Sequence, residues 1–276
     1  MFIRHIKQFD PEAIAESGQC FRMRIKAPGL VEVIQRGRHI LIESLQDERF
    51  GFSCTQQEFQ DVWHDYFDIS TDYSVFINAV DRGDAYLARA AMEGQGLRIL
   101  RQDPWEMLIS FILSQRKSIP AIRNGIEKLC RRFGSRMLVG EREDYAFPTP
   151  QRLAEASLEE LSACSLGYRA PYIHAAARSV AMGETDLNAL DILHDEALLQ
   201  KLLALHGVGV KVASCVMLFG YHRLDLAPVD VWIQRVIDRV YGGVSPFPGY
   251  AGYAGVMQQY MFYDQICQKK LKRLTA

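Results

Sequence analysis

Residues 205–215 read Leu205-His206-Gly207-Val208-Gly209-Val210-Lys211-Val212-Ala213-Ser214-Cys215. A helix ends near Leu205, two glycines turn the chain, and a second helix begins. Glycine at both turn positions permits positive φ and leaves no side chain between the backbone and whatever approaches it. The first N–H groups of the second helix have no intrahelical partner and point outward with the positive end of the dipole. Such a hairpin can hold a phosphate without any basic side chain; a plain αα-hairpin with a glycine turn has the same sequence signature. Lys211 follows in the first turn of that helix, where a cation is unfavourable, and Val210, Val212 and Ala213 predict a partly dry setting. Both effects favour the neutral amine that a nucleophile requires. Nineteen residues on, Pro228-Val229-Asp230-Val231 starts another helix. Asp230 is an N-cap by type, and that role also keeps its carboxylate ionised.

On both sides of the hairpin the pattern is helical from Asp103 onward. Asp103-Pro104-Trp105-Glu106 supplies a capping carboxylate, a proline at the first helical position and a glutamate at the third. Trp105–Leu113 is apolar almost all round, which predicts a buried helix. Ile119, Ile122, Ile126, Leu129 and Phe133 mark one face of the next. Thr149-Pro150 opens another helix, Gly167 fits a stop, and Pro171 starts the one after. Further helices are predicted near Asp195–Leu205, Lys211–Phe219, Asp230–Tyr241 and Gly252–Lys270. The first hundred residues read differently. Short strand-like runs at Phe21–Ile25, Leu30–Gln35, Arg38–Glu43 and Phe50–Cys54, broken by turn residues, predict an antiparallel sheet. Helical stretches at about 55–66 and 73–91 follow. The fold class is therefore α+β: a small N-terminal antiparallel β-sheet domain over residues 1–99, then an all-α region over 100–276.

The chain of 276 residues is 49% apolar and 24% charged, a globular balance that excludes disordered and fibrous classes. No apolar run approaches the ~18–20 residues that cross a bilayer. The start shows no secretory apolar region, and a soluble cytoplasmic protein is expected. Cys20, Cys54, Cys130, Cys164, Cys215 and Cys267 are scattered, with no spacing that suits zinc or an iron–sulfur cluster. The net charge of −1 hides an uneven distribution. Arg116, Lys117, Arg123, Lys128, Arg131, Arg132 and Arg136 are opposed only by Glu127. Lys269, Lys270, Lys272 and Arg273 lie near the end. A cationic segment suits an anionic partner, although a solvated helix face looks the same.

The hairpin with its Lys, and Pro-Val-Asp nineteen residues after it, resembles the helix-hairpin-helix DNA glycosylases that combine base excision with a lyase step, and more narrowly the 8-oxoguanine DNA glycosylase family. Nearly the whole chain carries the resemblance. Gly18-Gln19-Cys20-Phe21-Arg22, Leu100-Arg101-Gln102-Asp103-Pro104, Leu166-Gly167-Tyr168-Arg169-Ala170 and Tyr253-Ala254-Gly255-Val256-Met257-Gln258, with Phe262 beyond, are similar to family motifs in the same order.

The resemblance implies two α lobes, a central one over about 116–235 and a second from 100–115 plus 236–276, with the active site between them. It implies catalytic roles for Lys211 and Asp230, and a damaged base flipped out of the duplex and stacked between Cys215 and Phe262. Gln258 would meet its Watson–Crick edge, and the Gly18 carbonyl would accept the N7–H that 8-oxoguanine has and guanine lacks. Gly207, Val208 and Gly209 would hold DNA phosphate, and Tyr168 and Arg169 would act as the wedge and a reader of the opposite cytosine. No cofactor is required; the family's hairpin carbonyls hold a potassium or sodium ion. The expected partner of this bacterial-type, nucleoid-associated monomer is duplex DNA with a damaged base, with no membrane.

The pattern departs from the family mainly after the first buried helix. In Ser114-Gln115-Arg116-Lys117-Ser118-Ile119-Pro120-Ala121, Arg116 stands where an asparagine would help fill the vacated space, and Ala121 where an arginine would read the opposite cytosine. Arg116 and Lys117 are expected to grip phosphates, with weaker discrimination for cytosine. His206, Met23 and Trp232 also depart, and Trp232 reads either as packing or as a contact to the DNA backbone, packing being the preferred reading. Two alternatives stay open at this stage: a related glycosylase for another lesion such as alkylated purines, and a non-catalytic DNA binder built on the hairpin.

Overall fold

The structure, a computed structural model, describes residues 1–274, with side chains to Lys272; the Arg273 side chain of the basic tail lies outside the described residues. Internal contacts divide the chain into two compact units. The first joins residues 1–32, 40–101 and 222–276, and the second joins 33–39 and 102–221.

Strands β1 (Phe2–His5), β2 (Met23–Ala27), β3 (Leu30–Gln35), β4 (Arg38–Ser44) and β5 (Arg49–Phe52) form one sheet in the order β1-β5-β4-β3-β2. β1 runs antiparallel to β5, Phe2 opposite Phe52, and β5 antiparallel to β4, Ile42 opposite Phe52. One face closes on an aromatic core in which Phe52 lies 4.6 Å from Phe59 and Phe9 meets Phe50 edge-on at 5.0 Å. Burying a side chain of this size contributes about 1.5–3 kcal/mol.

The last strand leads into a helical stretch over residues 56–66, which contains a π-helical turn at Phe59–Trp63, and then to helix α1 (Ala85–Glu93). The helical stretch expected at 73–91 is two helices, Ser74–Asn78 and α1. Asp81 takes the Gly83 N–H at 2.8 Å and Asp84 caps Leu87 at 2.9 Å, so local side-chain bonds win over helix continuation between them. β1 was not anticipated either, because four residues give too short a pattern.

Two further helices complete the first unit, α7 (Val231–Val240) and the 21-residue α8 (Ala254–Leu274). α8 docks on α1 through Asp264, which is fully buried and takes bonds from Tyr86 Oη at 2.9 Å and Arg89 Nη1 at 2.5 Å. Burial raises the Asp264 carboxyl, but the bonds from Arg89 and Tyr86 outweigh it and hold the group below the usual aspartate range. At Gly94, a Cβ would sit 2.6 Å from the Tyr260 ring, so glycine is what lets α8 lie this close.

The second unit is built on α2 (Pro104–Ser114), α3 (Ile119–Phe133), α4 (Ala170–Ala181), α5 (Asp195–Leu203) and α6 (Val210–Gly220). Asp103 caps α2 as its sequence predicts, taking the N–H of Trp105 at 2.7 Å, and Glu106–Leu113 are all buried. α2 packs on α6: Phe111 stacks on Phe219 at 5.5 Å and 17°. α3 buries the stripe Ile122, Ile126, Leu129 and Phe133. A short hairpin, β6 (Arg136–Val139) with β7 (Arg142–Tyr145), follows; its alternating charges concealed it in the sequence.

These units follow a different partition from 1–99 and 100–276. Residues 102–115 group with the hairpin helices through α2 and α6, whereas α8 groups with the N-terminal residues through Asp264 and Tyr260. Among the described residues no helix is long and apolar enough to cross a membrane.

Candidate nucleic-acid and catalytic site

The hairpin joins α5 to α6, and its two glycines differ in what requires them. Gly207 has φ +84°, and a Cβ there would lie 2.3 Å from Tyr172 Cγ, so both backbone and packing exclude a side chain. Gly209 has φ −96°, and a Cβ there would meet nothing within 4 Å. Nothing in the protein around Gly209 demands glycine; the bare backbone matters to what comes from outside. Gly209 is the N-cap of α6 and no side chain caps that end, so the first N–H groups of the helix have no side-chain acceptor.

Lys211 is half-buried in the first turn of α6, its Nζ 5.3 Å from the Phe111 ring centroid. No carboxylate of the described residues in that unit pairs with it. Val212 and Ala213 are buried, as expected, but Val210 is 64% exposed, so the dry setting extends along one side of the lysine only. Cys215, one turn further, is buried.

Two segments of the same unit adjoin the hairpin. Arg116 is exposed and left-handed at φ 52°; Lys117 donates to the Ser165 carbonyl. Burial, followed by the charges of Arg169 and Lys128, pulls the Lys117 ammonium below the usual lysine range. Tyr168 is 52% exposed, as a wedge would be. Arg169 is instead buried and folded back: its guanidinium lies 4.2 Å over the Tyr168 ring and donates to the carbonyls of Leu166, at 3.2 Å, and Gln115.

The remaining candidates lie in the first unit. Asp230 caps α7, taking the N–H groups of Trp232 and Ile233 at 2.9 Å, both through Oδ1. Oδ2 has no protein donor among the described residues. Gly18 has φ +79°, and its neighbours are pinned. Gln19 bonds Ser17 Oγ at 3.0 Å, the Arg98 carbonyl at 2.9 Å and the Leu100 N–H at 2.9 Å, while Gln259 of α8 holds the Ser17 carbonyl at 2.7 Å. The Gly18 peptide is thus fixed without a side chain of its own.

Gln258 is 5% exposed, and its Oε1 has no hydrogen-bond partner. A buried acceptor left without a donor costs about 1–3 kcal/mol, which a ligand N–H would restore. Phe262, one turn later, lies 6.3 Å from Trp232 at 49°, and Lys269 Nζ sits 4.6 Å over the other ring of that pair, Trp232. Trp232 therefore backs Phe262, in line with its reading as packing. An open hollow lined by Met1, Leu41, Glu43, Ser53, Cys54 and Glu58 among others contains none of these residues.

Among the described residues no group of three or more His, Cys, Asp or Glu side chains could hold a metal. The hairpin carbonyls do fit a singly charged cation. Leu205 and Gly207 oxygens each accept one hydrogen bond, from Val208 N–H and Gln115 Nε2, and keep a second lone pair. Neutral oxygen donors suit sodium or potassium rather than a transition ion. Sequence reasoning missed Gln115, Gln19 and Gln259, whose partners lie far away along the chain.

Residues 1–108 match the family model described as 8-oxoguanine DNA glycosylase, N-terminal domain, and residues 109–246 match that of the HhH-GPD superfamily base excision DNA repair proteins. A probable N-glycosylase/DNA lyase of Methanothermobacter thermautotrophicus is 33% identical over 197 residues, covering 64% of this chain and 62% of that protein. The N-glycosylase/DNA lyase of Saccharomyces cerevisiae is 38% identical over 172 residues, 56% of this chain and 44% of that one. The match thus spans less than two thirds of either relative. Among solved structures, the Clostridium acetobutylicum 8-oxoguanine glycosylase/lyase in complex with duplex DNA containing cytosine opposite 8-oxoguanine superposes with a TM-score of 0.91 at 30% identity, over 97% of this chain and 95% of that one. A 3-methyladenine DNA glycosylase from Archaeoglobus fulgidus, at 17% identity and a TM-score of 0.76, shares the fold.

Proposed function

The chain belongs to the helix-hairpin-helix (HhH-GPD) superfamily of base excision DNA repair proteins and carries the N-terminal domain of the 8-oxoguanine DNA glycosylases; on that premise we propose that it excises 8-oxoguanine from duplex DNA and then cleaves the strand through a Schiff base on Lys211. The observation that carries this reading is the primary amine at residue 211, half-buried at the uncapped end of the hairpin helix and free of any carboxylate partner in its own unit. A glycosylase that activates water has no use for an amine there, and neither has a simple binder.

In this mechanism the exposed N–H groups at the start of α6 and the turn at Gly207–Gly209 take a backbone phosphate, while Arg116, Lys117 and Tyr168 engage the duplex. The lesion nucleotide leaves the stack, and its base lies between Cys215 and Phe262. Gln258 Oε1 accepts from the Watson–Crick edge, and the Gly18 carbonyl accepts the N7–H. Guanine would turn a lone pair toward that fixed carbonyl, at a cost of about 1–3 kcal/mol, or roughly ten- to a hundredfold in rate.

Neutral Lys211 Nζ forms a bond to C1′ as the C1′–N9 bond breaks, and the base departs with the electron pair and gains a proton. The Asp230 carboxylate stabilises the positive charge that develops on the sugar. Loss of the amine proton and opening of the sugar ring give the Schiff base. Removal of a C2′ proton then expels the 3′ phosphate and nicks the strand. A sodium or potassium ion on the Leu205 and Gly207 carbonyls would add positive charge beside the phosphate. Duplex DNA is the partner in this reading, with the protein acting as a nucleoid-associated monomer.

Borohydride trapping on an 8-oxoguanine duplex tests the reading. A covalent adduct that is lost in Lys211→Gln is expected. Tight binding without an adduct would make the chain a binder, and an adduct formed only on alkylated-purine duplexes would move the lesion specificity.

A further inference from the structure

Gln115 closes the last turn of α2 with φ −53° and ψ 122°. Its Nε2 donates to the Ile112 carbonyl at 3.2 Å and to the Gly207 carbonyl of the hairpin at 3.0 Å, while its own carbonyl accepts from Arg169. The Val208 N–H bonds the Leu205 carbonyl at 3.1 Å, so the peptide joining Gly207 to Val208 is held at both ends. The peptides that follow it carry the N–H groups that face out of the α6 start. Arg169 stacks on Tyr168, Tyr168 meets Tyr172 edge-on at 6.1 Å, and Tyr172 meets His206 at 4.8 Å and fills the space beside Gly207. The contacts form a closed ring, 115 to 207 to 172 to 168 to 169 and back to 115. It links three segments that are more than 30 residues apart along the sequence, and Gln115 is bonded to both of the others.

We propose that Gln115 is a positioning residue: its amide and carbonyl hold the hairpin turn and Arg169 as one body, so that the grip on phosphate and the reading of the opposite strand are set together. The proposal rests on the duplex-glycosylase function above. A side-chain donor on Gly207 and a carbonyl acceptor for Arg169 come from the same residue, so loosening one end loosens the other. Ile112, the second acceptor of the amide, anchors this strap to the buried helix α2.

Gln115→Met and Gln115→Glu keep the side chain's length and remove its N–H donors. Binding to an 8-oxoguanine duplex and single-turnover excision against each of the four opposing bases are measured from pH 8 to 5. Gln115→Met should raise the half-saturating enzyme concentration roughly tenfold, the size of one lost hydrogen bond. The rate at saturation should change less, and the spread among opposing bases should narrow. In Gln115→Glu the carboxyl gains an O–H donor as the pH falls. Its affinity relative to Gln115→Met should therefore rise toward pH 5 and drop below it at pH 8. Tyr168, Arg169, Tyr172 and His206 in this ring, and Arg116 and Lys117 next to it in sequence, are the charged and titratable groups concerned; they are common to both variants and cancel in that ratio. Affinity within twofold of wild type in Gln115→Met, a ratio flat with pH, or a loss of affinity with the opposing-base spread intact would each overturn the proposal. A wild-type chain that binds no lesion duplex would remove the function reading itself.

Discussion

Alanine at each hairpin glycine separates what the fold needs from what a ligand needs. At Gly207 the backbone is left-handed, which costs an L-residue about 1–2 kcal/mol. The added methyl would also overlap Tyr172, with Cγ at 2.3 Å and Cβ at 2.6 Å. Tyr172 Cβ cannot swing away without moving α4, so overpacking of about 1–3 kcal/mol adds to the strain. Gly207→Ala should therefore lose roughly 2–5 kcal/mol in urea unfolding. At Gly209 the same methyl meets nothing within 4 Å at an ordinary φ of −96°. A stiffer unfolded chain gains about 0.4–1 kcal/mol, and replacing glycine at an N-cap loses a similar amount. Gly209→Ala should stay within about 0.5 kcal/mol of wild type by these offsetting effects. Its methyl nevertheless occupies the approach to the uncapped N–H groups. Losing one or two charge-assisted hydrogen bonds should weaken duplex binding roughly ten- to a hundredfold, and the slope of log affinity against log salt should shallow by about 0.9 if one phosphate contact goes. Fluorescence anisotropy across a salt series reads both quantities. A stable Gly209→Ala variant with wild-type affinity and slope would refute the hairpin as the phosphate grip.

With Ala121 in place of an arginine, excision of 8-oxoguanine should vary less than about tenfold among the four opposing bases, within the 1–3 kcal/mol that one bidentate pair supplies; a sharp cytosine preference in single-turnover assays would contradict this. Burial raises the Asp68 carboxyl, but the hydrogen bond and charge of His222, 3.2 Å away, with Thr71 and Arg101 outweigh it and hold the group below the usual range. A lowered folded value contributes stability above the unfolded aspartate value, near 4, that is lost as pH falls through the folded one. Asp68→Asn should therefore cost stability at pH 7 and flatten the acid limb below about pH 4, followed by urea midpoints. Trp232→Ala should leave Phe262 without its backing, raising the half-saturating DNA concentration several-fold, roughly the 0.5–1.5 kcal/mol of an aromatic pair, with Lys211 adduct formation preserved at saturation.

The parts legible in the sequence were those fixed by near neighbours. Asp103, Thr149 and Asp230 were caps by type, and each accepts the N–H groups of its own first turn. The stripe on α3 came from its helical period. What escaped was decided at long range. β1 is a strand because Phe2 finds Phe52 across the sheet, and α8 joins the N-terminal residues because Asp264 finds Tyr86 and Arg89. A carboxylate in the middle of a long helix was a visible signal for that docking. Gln115 offered none, since an amide after an apolar helix looks like any helix end, and its partner is 92 residues away. Val210 misled because valine in the first turn of a helix reads as core, whereas the turn at Gly209 leaves it in solvent.

The chain path also imposes an order on synthesis. The first unit needs residues 222–276, which are synthesised after the second unit is already complete in sequence at residue 221. Translation halted there yields a product with the glycine turn and its amine but without Asp230, Gln258 or Phe262. It would also release α1 without the helix that docks on it, Ala254–Leu274, so that Tyr86 and Arg89 would lack Asp264.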